Sequence, residues 1–78
     1  MPDLQKRIRT IQAYYSELAL AETFKNMSTV NTYDVDEGHY IKKAEQHYRS
    51  ATRLADYIAV QYKADLEKLP TMEVFLKS

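Results

Sequence analysis

The chain has no cysteine and no tryptophan, and only one glycine and two prolines in 78 residues. Lack of cysteine excludes disulfides and thiolate zinc sites, so packing alone must hold a small core. Few breakers favour long helices, because an interior glycine costs about 1 kcal/mol and an interior proline about 3 kcal/mol relative to alanine. An excess of charge of one sign is missing as well. Eleven basic and eleven acidic residues cancel, which removes any general attraction to nucleic acid or to an anionic membrane. No stretch approaches the roughly 20 apolar residues of a membrane span, so no membrane partner is expected. Met1-Pro2-Asp3-Leu4-Gln5-Lys6-Arg7 carries no apolar segment of the secretion-signal kind, and the expected location is cytoplasmic.

What the chain does have is a seven-residue step. Ile41, Tyr48, Ala55, Tyr62 and Leu69 form one column, and Ala44, Ala51 and Ile58 form the next. At 3.6 residues per turn the two columns merge into one apolar seam, broken only by Asp65, that another helix has to cover. Seven tyrosines suit a narrow bundle, since a tyrosine ring fills a seam while its hydroxyl stays near water or an acceptor.

These patterns predict an all-α fold, one helical domain over residues 1–78. A first helix is expected at about residues 3–27, with Leu4, Ile8, Ile11, Tyr15 and Leu18 as its buried stripe and Tyr14 and Ala21 on its flank. Residues 28–34 read as the connection, and Asp34 with Glu37 three residues later reads as a capping box. A second helix is expected at about residues 35–69, stopped by Pro70. The segment 71–77 carries Met72, Val74, Phe75 and Leu76 and is expected to return as a short third helix beside Tyr57, Val60 and Ala64. A short connection makes the long helices an antiparallel hairpin folded about residue 32, with Leu18 near His47 and Ile11 near Leu54. A core of this size contributes only ~3–5 kcal/mol, so the hairpin is expected to dimerise as a four-helix bundle.

Apolar residues outside the seam indicate where a protein partner sits. Leu20, Phe24 and Met27 cluster on the side of helix one away from its stripe, and Tyr57 and Val60 lie opposite the helix-two seam. Anchors of this kind dominate most interfaces, and Lys6, Arg9 and Arg53 are expected to tune association rate and specificity. The expected function is therefore non-catalytic protein–protein interaction, as a small regulator, adaptor or inhibitor without a cofactor.

Three other chemistries have some footing in the sequence. Lys42, Arg49 and Arg53 align on helix two and Lys6, Arg7 and Arg9 on helix one, as a nucleic-acid-associated regulator would need. Glu45 and Asp56 interrupt the first group, Glu45–Arg49 has the order of a helix ion pair, and no nucleic-acid partner is expected. Gly38-His39-Tyr40-Ile41-Lys42-Lys43-Ala44 resembles the phosphoacceptor stretch of histidine-containing phosphotransfer domains, where His is followed by an apolar residue, Lys and Gly. The resemblance implies an exposed His39 that accepts a phosphoryl group on a helical bundle. Lys43 departs from that pattern, standing where a small residue gives a response regulator access. A metal site would group Asp36, His39 and Glu22, but bundle metal sites repeat Glu-x-x-His, which this chain lacks. No catalytic nucleophile is placed beside a histidine, so no enzyme is expected.

Overall fold

The computed structural model describes residues 2–30, 38–64 and 66–77, with the side chains of residues 2, 3, 29 and 30 left aside. Three helices account for most of it: α1 (Pro2–Val30), α2 (His39–Tyr62) and α3 (Met72–Lys77). The first two form an antiparallel hairpin, in the register expected from a fold about residue 32. Glu17 meets His47 and Phe24 meets Tyr40 across it. The expected Asp34/Glu37 capping box lies outside the described residues.

Helix α1 runs three residues beyond its expected end, into Ser28-Thr29-Val30. Hydroxyl residues are tolerated in this helix because they bond the turn behind them. Ser28 Oγ donates to the Lys25 carbonyl at 2.5 Å, Thr23 Oγ1 to Ala19 at 2.9 Å and Thr10 Oγ1 to Lys6 at 2.8 Å.

Helix α2 ends at Tyr62, well before the expected Leu69. Lys63 takes a left-handed conformation, φ 51° and ψ 34°, which costs a non-glycine residue about 1–2 kcal/mol. The physical reason lies in the register. With Glu17 opposite His47 and Phe24 opposite Tyr40, Tyr62 is level with the first turn of α1, so a further turn of α2 would have no part of α1 to pack against. Breaking at residue 63 also frees enough chain to turn back along the hairpin. Leu66 packs with Tyr14, Ala51 and Ile58; Leu69 comes next; Met72, Phe75 and Leu76 then pack with Ala21 and Tyr48.

The third helix therefore does not sit beside Tyr57, Val60 and Ala64 as expected. It docks in the groove between α1 and α2, against Tyr48, about 18 Å back from Val60 at 1.5 Å per residue. Phe75 stacks on Tyr48, ring centroids 4.1 Å apart and planes 14° from parallel, and Lys25 Nζ lies 4.9 Å over the Phe75 ring. The Tyr48 hydroxyl donates to the Pro70 carbonyl, so one side chain holds the returning segment by its ring and by its polar tip.

The buried face of α1 is turned relative to the sequence expectation. Tyr14 and Ala21, expected on the flank, are almost fully buried, while Leu4, Ile8 and Tyr15 of the expected stripe are 58%, 47% and 56% exposed. Ala21, Ala44 and Ala51 have no exposed surface, and small residues on both helices let the axes come close. The returning segment takes part of the α1 surface as well, which moves the buried centre toward Leu18, Ala21 and Lys25.

Tyr14 and Tyr48 share a physical consequence of this core. Burial, then the neighbouring Tyr15 and Glu67, raises the Tyr14 pKa above its ordinary 10.0; burial, then Tyr14, raises that of Tyr48. The folded chain thus holds phenol protons that the unfolded chain releases. The contribution is fully present below pH 10 and is lost as pH rises through the raised folded values. An alkaline titration of urea midpoints should show a fall in stability above about pH 10, smaller in Tyr14→Phe. An equal fall in that variant would rule out this assignment.

Candidate protein-binding surface

The protein is 48 Å long but only 14 Å across its thinnest direction, so each long helix keeps an outer side at the surface. The returning segment covers one face of the hairpin. There a depression of about 440 Å³ is lined by Tyr14, Tyr15, Glu22, Lys25, Glu67, Lys68 and Phe75, among others. Its acids and bases balance, and Lys25 is engaged with Phe75. Burial raises the pKa of both Tyr14 and Tyr48, which line it, above the ordinary phenol value.

The opposite face has no such cover. A depression of about 530 Å³ lies between the helices, with Ala13 and Leu54 as its apolar floor and Gln5, Lys6, Arg9 and Thr10 around it. Lys6 and Arg9, expected at an interface from sequence, are thus brought together. Neither makes an ion pair among the described residues. Both stand in the first turns of α1, where the helix dipole is already positive. Their neighbour Arg7 lies 5.8 Å from the Tyr62 ring centroid.

Along α1 from that depression stand Leu20 and Met27, 41% and 37% exposed. One heptad separates Ala13 from Leu20, and another separates Leu20 from Met27, which puts the three on one side of the helix. Phe24 is different. It is half-buried, with its ring parallel to His47 at 5.5 Å and stacked on Tyr40 at 6.3 Å. Phe24 is therefore a hairpin contact whose outer edge alone is available to a partner.

The helix-two candidates fall elsewhere. Tyr57 is 40% and Val60 71% exposed on the outer side of α2, with the Tyr57 ring edge-on to Tyr62 at 5.9 Å. Arg53 lines a third depression, of about 460 Å³, with Arg49, Thr52, Thr71 and Met72. It is not assembled with Lys6 and Arg9. His39 is exposed, edge-on to Tyr40 at 5.3 Å, and Lys42 and Lys43 are exposed beside it.

Two features escaped the sequence reading. Leu4, Ile8 and Tyr15 form a second exposed apolar strip on α1. The other is the bond between His47 Nδ1 and Glu17 Oε2, 2.5 Å long and about a third exposed. The register about residue 32 points to Glu17 once the face of α1 is known. Among the described residues no group of three potential metal ligands occurs, and no helix is long and apolar enough to cross a membrane. Comparison with family models, with curated proteins and with solved structures gives no match.

Proposed function

We propose that this protein is a non-catalytic protein-interaction module, a small regulator, adaptor or inhibitor that works through an exposed face of its helical hairpin. The observation that carries the reading is the two-sided character of α1. After the returning segment has packed, α1 still exposes Leu4, Ile8 and Tyr15 on one side and Leu20 and Met27 on another. Single exposed apolar residues are ordinary, whereas aligned groups of them mark contact surfaces. Pairing of two hairpins into a four-helix bundle is the arrangement that would cover such a face, and we include it in the proposal. Among the described residues the close histidine–carboxylate pair, His47 with Glu17, is spent on itself, with Phe24 against the imidazole, which supports a structural rather than a catalytic use.

The test is a double substitution on the exposed stripe, Leu20→Glu with Met27→Glu. Both side chains are solvent-accessible, so helicity and thermal midpoint should stay close to those of the parent. Two carboxylates in a desolvated interface should weaken association by at least about 30-fold, as for loss of a hot spot of 2 kcal/mol or more. Light scattering and recovery of partners from host lysate would read this out. Unchanged oligomeric state together with unchanged partner recovery would refute the reading. Phe24 is unsuitable for such a test because its replacement would also open the His47 stack. A phosphotransfer role would instead show as loss of function in folded His39→Gln, and a nucleic-acid role as binding that collapses with salt.

A further inference from the structure

We infer that the occupant of the open face is a second copy of the chain, with α1 antiparallel to α1, Leu20 on the two-fold axis and Met27 of each copy seated in the Ala13/Leu54 depression of the other. The inference rests on the protein-binding reading above and gives that surface its partner and register.

The spacing comes first. Ala13, Ser16, Leu20, Thr23 and Met27 follow one another at steps of three, four, three and four, all are exposed, and none is charged. That is the step of a coiled-coil seam. The stripe from Ala13 to Met27 is about 21 Å long at 1.5 Å per residue.

Shape fixes the register. Ala13 and Met27 each lie seven residues from Leu20, so an antiparallel pair with Leu20 on the axis sets Met27 opposite Ala13 twice over. The largest exposed side chain past the axis then meets the smallest one before it. Ala13 and Leu54 floor a depression of about 530 Å³, and an unbranched methionine adapts well to an irregular gap. Leu54 belongs to α2, so this register engages both helices of each hairpin, as a four-helix bundle requires.

Charge fixes the orientation. Lys6 and Arg9 border the depression and make no ion pair among the described residues. Antiparallel pairing sends the two basic ends to opposite ends of the interface, whereas parallel pairing would stack them on each other. The competing strip of Leu4, Ile8 and Tyr15 is centred in the turns that carry Lys6, Arg7 and Arg9. Self-pairing there would bring six cations together in either orientation, and like charges a few ångströms apart repel.

The chain has no cysteine, so single cysteines report the register without background. Leu20→Cys, Ala13→Cys, Met27→Cys and an outward control on α2, Gln46→Cys, would each be oxidised mildly in the full-length protein and read on non-reducing gels. Thiols facing each other across an axis lie within the roughly 7 Å that a disulfide needs. Held at millimolar effective concentration, they should cross-link on the order of a hundredfold faster than free collision at ten-micromolar protein. Leu20→Cys alone should form a covalent dimer at that rate, and mixed Ala13→Cys and Met27→Cys chains should couple to each other. Ala13→Cys alone, Met27→Cys alone and the control should not.

Rapid cross-linking of Ala13→Cys alone would overturn the antiparallel register. A parent protein that is dimeric by light scattering while Leu20→Cys fails to cross-link would overturn the axis and leave the protein-binding reading standing. A monomeric parent with no enhanced cross-linking would overturn self-pairing. The Leu20→Glu/Met27→Glu recovery experiment then judges the broader reading on its own.

Discussion

Phe75→Ala should lower the unfolding free energy by about 3–5 kcal/mol, the usual cost of emptying a buried aromatic site. For a domain whose whole stability is of the order of 5 kcal/mol, that leaves a large fraction of the chain unfolded at room temperature. The size of the effect follows from what Phe75 touches. It is 5% exposed, it stacks on Tyr48 at 4.1 Å, and Lys25 Nζ lies 4.9 Å over its ring. Its removal uncovers Ala21 and Tyr48 together and leaves the Tyr48–Pro70 bond at an open edge. Urea unfolding followed by circular dichroism would measure the change. A loss below about 1 kcal/mol, the range of surface substitutions, would mean that α3 does not dock as described.

Ile58→Ala should cost about 2–5 kcal/mol, and Val60→Ala, two residues along the same helix, should change stability by less than about 0.5 kcal/mol. The contrast isolates burial from helix propensity, since both parents are β-branched and both replacements are alanine. Ile58 has no exposed surface and packs with Tyr14 and Ala51, whereas Val60 is 71% exposed. Removing the Ile58 side chain leaves a void between α1, α2 and Leu66 that the close helix approach at Ala51 cannot fill by collapse. Thermal or urea midpoints of the two variants, measured side by side, decide the matter. Equal effects would show that the seam of α2 does not face α1.

The seam of α2 was legible because its apolar residues keep one period and its other positions are polar. Ala44, Tyr48, Ala51 and Ile58, named from spacing alone, are the buried residues of that helix. The hairpin register was legible too, because a short connection leaves little choice. The face of α1 was not. Apolar residues stand on several sides of it, so periodicity ranked Leu4, Ile8 and Tyr15 above Tyr14 and Ala21, and the reverse is found. What decides the face is the returning segment, and its path depends on where α2 stops. Pro70 is the stop signal in the sequence, but α2 breaks at Lys63, level with the first turn of α1, a tertiary effect that local propensity does not contain. Among the interface candidates, the exposure of Leu20, Met27, Tyr57 and Val60 follows from their distance from the seam. The half-burial of Phe24 does not, because it depends on His47 and Tyr40 across the hairpin.

The third helix carries a consequence for the order of events in folding. Six residues are too few to hold a helix in water by backbone bonds alone, and the ion pair within it, Lys77 to Glu73, is about three-quarters exposed. Helicity in Met72–Lys77 and the seating of Phe75 must therefore be gained in a single step. That step joins residues fifty apart, Lys25 and Phe75, whereas the hairpin closes through a short connection and carries the smaller loop-closure entropy. The hairpin is the part that forms first, the returning segment is the part that latches it, and on the way out the latch releases before the helices separate.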